Sequence, residues 1–96
     1  MPWNYRVVRH RVEVAEGPRL GSEQWFGVHR AFYRRGESDP YAVTVDEVAP
    51  GGESVGELML DILRFKTATE KGVLDFDEVG TERSAADELS LVDWQP

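Results

Sequence analysis

Residues 54–71 read SVGELMLDILRFKTATEK. Ser54 and Glu57 stand three apart, the spacing of a capping box, in which hydroxyl and carboxylate satisfy free backbone N–H groups of a first helical turn. Val55, Leu58, Met59, Ile62 and Phe65 follow at steps of 3, 4, 7 and 10 from the first, one face of an α-helix. Lys66 and Lys71 lie toward the end, where cations suit the helix dipole. Gly72 is placed to be the left-handed residue after it. The spacing predicts a helix over about 54–71 with that apolar face inward. Gly56, in the first turn, costs roughly 1 kcal/mol against Ala, and nothing in the sequence explains it.

Upstream of this helix the pattern changes. Tyr5–Val14 (YRVVRHRVEV) is β-branched and has no helical stripe, which predicts a strand. Gly17-Pro18 and Gly21-Ser22 punctuate a loop over 15–24. Trp25–Arg35 (WFGVHRAFYRR) and Tyr41–Val48 (YAVTVDEV) predict two more strands, separated by the turn cluster Gly36–Pro40. Three strands and then a helix give an α+β fold: a three-stranded antiparallel sheet with one helix packed on one face, in the order βββα. Pairing the first two strands so that residue numbers sum to 40 sets Val8 opposite Phe32, Val12 opposite Val28 and Val14 opposite Phe26, good apolar pairs. A sum of 39 sets Arg9 against Arg30. The even register therefore predicts Val8, Val12, Val14, Phe26, Val28 and Phe32 under the helix, and a sum of 75 for the next pair adds Val43 opposite Phe32.

Downstream, Val73–Phe76 is a docked segment or an edge strand. The domain is expected over 1–76 and an acidic C-terminal segment over 77–96. Within that segment, Ser84–Val92 forms a short amphipathic helix capped by Ser84 or stays mobile. Leu89, Leu91, Val92 and Trp94 among acids suit a short docking segment that orders on a partner.

The chain has 96 residues and a net charge of −7, unevenly divided. Residues 1–35 hold seven Arg against three acids; the other 61 hold four cations against fifteen acids. A uniformly basic nucleic-acid binder is excluded; a locally basic surface is not. There is no Cys, which removes disulfides, thiolate metal sites and thiol catalysis. No apolar run is long enough to span a membrane, and the opening residues lack the order of a secretory signal. The expected compartment is the cytoplasm.

His10 and His29 are the residues most suited to metal or acid–base chemistry. In an odd register they are cross-strand neighbours; in the even register they point to opposite faces and share nothing. No serine has the context of a nucleophile elbow. Glu53 and Glu57 repel a phosphate from the helix start, and the remaining carboxylates are scattered as on solvated surfaces. No catalytic residue, metal site or cofactor is expected.

The first third interleaves Arg9, Arg11, Arg30 and Arg34 with Trp25 and Tyr33. On a sheet with one face uncovered these six form the candidate binding surface. The favoured function is a non-catalytic module that binds a protein partner or self-associates through the sheet. The alternative is a nucleic-acid-related or antitoxin-like regulator, with guanidinium groups on phosphate and rings for stacking. No membrane partner is expected.

Residues 3–76 resemble a group of short uncharacterised bacterial proteins that share an opening like Trp3-Asn4-Tyr5-Arg6-Val7-Val8. They also share an aromatic strand like Trp25-Phe26-Gly27-Val28-His29 and a turn like Val48-Ala49-Pro50-Gly51-Gly52-Glu53-Ser54 before the Glu57-Leu58 helix start. That resemblance implies a small common fold and carries no catalytic residue across; the acidic end of this chain lies outside it. The βββα order with Gly52-Glu53-Ser54 and Glu57-Leu58 is also similar, over about 30 residues, to the HicB family of antitoxins, in which a related Gly, hydroxyl residue and acid start the helix of a toxin-binding domain.

Overall fold

A computed structural model of the chain describes residues 2–14, 21–82 and 93–95. Two long strands, β1 (Trp3–Val14) and β2 (Gly21–Phe32), form its spine. They are followed by β3 (Ala42–Thr44), the helix α1 (Val55–Thr69), β4 (Leu74–Asp75) and β5 (Gly80–Glu82). The strands make one five-stranded sheet in the order β4-β1-β2-β3-β5. The fold is α+β with one helix, as expected, but the sheet is not the expected three-stranded antiparallel one. β4 and β5 add at its two edges, parallel to β1 and β3. Both are two or three residues long, too short to show alternation in sequence.

The register also differs. β1 and β2 pair with a constant sum of 35, from Trp3↔Phe32 to Val14↔Gly21. This odd register avoids the Arg–Arg clash of a sum of 39: Arg9 faces Phe26, Arg11 faces Gln24 and Arg30 faces Tyr5. It also starts β2 at Gly21, inside the expected loop. β2 and β3 pair with a sum of 74, so Ala42, not Val43, lies opposite Phe32.

Because side chains alternate along a strand, a change of parity exchanges the two faces. The helix side carries Trp3, Tyr5 and Phe32, joined by Ala42, Ala68 and the half-buried Val7, Val28 and Phe65. The other side carries Val8, Ala31, Tyr33 and Val43 under Leu74, Phe76 and Val79. Of the six residues expected beneath the helix, Val28 and Phe32 are there. Val8 is in the opposite cluster and Phe26 is exposed. The side chains of Val12 and Val14 lie outside the described ones.

The second face is therefore covered, by the segment that holds β4 and the turn after it. Residues beyond 76, expected as an acidic tail, supply β5, and Trp94 makes a parallel bridge to Trp3, with the Gln95 N–H donating to the Trp3 carbonyl at 2.9 Å. The expected helix over 84–92 lies outside the described residues.

The helix start follows the capping chemistry. The Glu57 N–H donates to Ser54 Oγ at 3.1 Å, and the Glu53 N–H donates to Glu57 Oε2 at 2.7 Å. The carboxylate thus reaches back one residue further than in the standard box. Gly52 is required by close approach, since a Cβ there would lie 2.6 Å from Glu57 Cβ. Gly72 does not take the left-handed conformation; Gly36 is the described residue with positive φ. The Gly72 carbonyl instead accepts from Arg6 Nη2 at 2.6 Å.

Candidate functional site

α1 docks by a face turned away from the centre of its apolar stripe, with Phe65 at the edge the two share. Its buried residues are Asp61 and Ala68. Asp61 accepts from Tyr5 Oη through Oδ1 and from the Gly51 N–H through Oδ2, both at 2.9 Å, and Arg64 stands 3.6 Å from Oδ1. Burial, reinforced by the hydrogen bond and charge of Asp61, pushes the Tyr5 hydroxyl up to about 12. Ala68, with almost no side chain, packs in the same cluster as Tyr5, whose ring contacts Phe65 at 4.5 Å between ring centres.

Five large apolar side chains are left outside. Val55 is 75%, Met59 61%, Leu60 54%, Ile62 47% and Leu63 56% exposed. Val55, Met59 and Ile62 had been expected in the core. With Lys66 they are spaced 4, 3 and 4 apart, the seam spacing of paired helices. Five neighbouring side chains of this size make a patch on the order of several hundred Å², the scale at which exposed apolar surface marks an interaction site. Glu53 precedes this face at its N-terminal end, and the exposed Lys66 lies on it toward the other end.

The six residues singled out from the sequence do not form one surface. Tyr33 is 3% exposed in the second core cluster, where its hydroxyl donates to Asn4 Oδ1 at 2.9 Å and accepts from Arg6 Nη1 at 3.1 Å. Arg9 is paired with Asp75 through Nε and Nη2 at 2.6 and 2.7 Å, a bidentate contact that holds the carboxyl below its usual range and raises the guanidinium. Arg30 lies over the Trp3 ring and Arg34 over Tyr41, at 6.0 and 5.0 Å. Arg11 is exposed. Trp25, 40% exposed, stacks on His10 at 4.1 Å and 7°.

The odd register brings together what the even one separates. His10 and His29 share the second face, and their Nε2 atoms are 2.8 Å apart. His29 is fully buried, and its Nδ1 lies 2.7 Å from the Thr44 carbonyl oxygen. That oxygen only accepts, so Nδ1 carries the proton and Nε2 of the neutral ring presents its lone pair. Burial lowers the affinity of His29 for a second proton. The pair meets beside Gly27, where a Cβ would lie 3.0 Å from the Trp25 ring and 3.6 Å from His29 Nε2. Phe76 flanks His10 at 4.5 Å between ring centres.

Elsewhere, a cleft of about 460 Å³ opens between α1 and the sheet, lined by Trp3, Tyr5, Arg30, Asp61 and Arg64 among others. Both carboxylate oxygens of Asp61 inside it are already bound. No described helix is long and apolar enough to cross a membrane. Comparison of the chain with protein-family models, with curated proteins and with solved structures finds no match.

Proposed function

We propose that the chain is a non-catalytic protein-interaction module that pairs with a second copy of itself through the outer face of α1. The observation that carries this is the exposure of Val55, Met59, Leu60, Ile62 and Leu63 on a helix whose polar Asp61 faces inward. A two-fold interface uses the same patch on both copies, so the patch must complement itself. This one does when two helices cross antiparallel. Glu53 of one copy then approaches Lys66 of the other, while Met59 and Ile62 meet near the axis. The expected interface lies on the helix and not on the sheet, because Tyr33 is buried and the arginines are divided among separate partners.

Sedimentation velocity from low to high micromolar concentration tests this. The chain is expected to pass from monomer to dimer over that range. Ile62→Asp, at a half-exposed side chain, is expected to hold it monomeric with an unchanged far-ultraviolet spectrum. A chain that stays monomeric throughout, or an Ile62→Asp variant that dimerises like the parent, refutes the proposal.

A further inference from the structure

We propose that His10 and His29 form a two-imidazole chelate for a divalent transition metal of the copper–nickel class, seated beside Gly27 on the second face of the sheet. The two Nε2 atoms are 2.8 Å apart and belong to residues 19 apart in sequence. Metal–imidazole bonds are about 2.0–2.1 Å long. An ion bound to both nitrogens at this separation subtends an angle of about 85–90° and sits about 1.5 Å off the line between them, so the rings tilt to aim their lone pairs at it. Tetrahedral coordination needs the nitrogens roughly 3.3 Å apart. The right angle is that of neighbouring positions in a square-planar or tetragonal complex, the geometry that Cu²⁺ and Ni²⁺ favour with nitrogen and oxygen donors.

The surroundings suit ligation. The His29 Nδ1–H···O=C bond to Thr44 is the outer contact that metal-binding imidazoles characteristically make: it fixes the ring and directs Nε2 at the ion. Trp25 stacks on His10 and fixes that ring in turn. In the metal-free pair, His10 Nε2–H donates to His29 Nε2. On binding, His10 loses this proton to water and takes one from water at Nδ1, so both Nε2 lone pairs face the ion and no net proton is released.

Gly27 lets its neighbours close in on the pair: the point where its Cβ would stand is 3.0 Å from the Trp25 ring, 3.1 Å from Glu47 Cβ and 3.6 Å from His29 Nε2, which puts the exposed Glu47 carboxylate within reach as an oxygen donor. Glu47 and Asp46 also set negative charge beside His29. Arg6, the cross-strand neighbour of His29, spends its guanidinium on Tyr33 and Gly72. Among the described residues no three His, Asp or Glu side chains already form a ligand cluster, so the protein supplies the imidazole pair, and Glu47 and water complete it.

The test uses the untagged full chain titrated with NiCl₂ or CuSO₄ alone, by calorimetry and by tryptophan fluorescence. One ion per chain is expected, with Cu²⁺ quenching emission through Trp25. His10→Gln keeps a half-buried side chain of similar length and is expected to weaken binding by more than about 100-fold, and Glu47→Gln by about tenfold. Electron paramagnetic resonance of the Cu²⁺ form is expected to show coupling to two imidazole nitrogens, a readout on the parent chain that does not depend on a variant folding. Absence of a one-to-one site, equal binding by His10→Gln, or a spectrum without two imidazole nitrogens each overturns the proposal.

Discussion

Replacing Asp61 and Ile62, neighbours in sequence, asks directly which side of α1 holds the fold together. Asp61→Ala removes the acceptor of the Tyr5 hydroxyl and of the Gly51 N–H. Hydrogen bonds to a carboxylate contribute about 1.5–3 kcal/mol each. The gain in helix propensity from Ala returns only about 0.5 kcal/mol. The expected loss is about 3–5 kcal/mol, against a total of roughly 5–15 kcal/mol for a domain. Ile62→Ala in a packed core would cost about 2–5 kcal/mol. At 47% exposure it opens no cavity, and the expected loss is below about 1 kcal/mol. Urea unfolding followed by circular dichroism, at a concentration where the chain is monomeric, separates the two. With a slope of about 1–1.5 kcal/mol per molar urea, Asp61→Ala moves the midpoint down by about 2–5 M and Ile62→Ala by less than about 1 M. Asp61→Asn, which keeps one carbonyl oxygen, falls between Asp61→Ala and the parent. A larger cost for Ile62→Ala than for Asp61→Ala refutes the inward orientation of Asp61. A rise in the Ile62→Ala cost with protein concentration is the mark of association through that face.

Tyr5 sets the alkaline limit. Its raised value, about 12 against 10.0, means that its contribution is complete below pH 10 and is lost as pH rises through 12. That amounts to about 2–3 kcal/mol, and Tyr5→Phe flattens the alkaline limb of the stability curve. Asp75 acts at the acid end with the opposite sign: its carboxyl is held low by Arg9, so its contribution is present above pH 4 and fades as pH falls below. Asp75→Asn is accordingly destabilising at neutral pH, with the difference from the parent shrinking in acid, as thermal melts at several pH values will show. Gly56→Ala stabilises by up to about 1 kcal/mol, because a Cβ there meets only Ser54 Oγ at 3.8 Å; Gly52→Ala destabilises, because its Cβ would stand 2.6–2.9 Å from the first helical turn. Paired melting temperatures check the signs.

What the sequence discloses divides by range of interaction. The start of α1 depends on Ser54, Glu57 and the residues between, and its ends fall within two residues of the expected ones. The strands' existence follows from their β-branched runs in the same local way. Register is a long-range property. Sums of 35 and 40 both give apolar pairs, and the loop between β1 and β2 does not choose between them. That single parity carries much with it: Val8 changes face, Tyr33 becomes core, and His10 and His29 meet. The histidine pair was therefore visible only as a consequence of an odd register, and could be found by testing odd sums other than 39. β4 and β5 lack enough residues to carry a pattern at all.

The helix shows why a stripe of apolar residues does not by itself say which way a helix turns. The sheet beneath α1 is already crowded by Trp3, Tyr5 and Phe32. A face of Met59, Ile62 and Leu63 would hold the helix away from these rings and leave the Tyr5 hydroxyl without a partner. The face that docks instead brings Ala68, whose size allows close approach, and Asp61, which satisfies both Tyr5 and the loop at Gly51. A buried hydroxyl without an acceptor costs about as much as an aliphatic side chain gains by partial burial, so one well-placed carboxylate is able to reverse the orientation that hydrophobicity favours. The consequence is on the surface: having used Asp61, Phe65 and Ala68 to hold the fold, the helix leaves Val55, Met59, Leu60, Ile62 and Leu63 exposed, the side chains on which the proposed pairing rests.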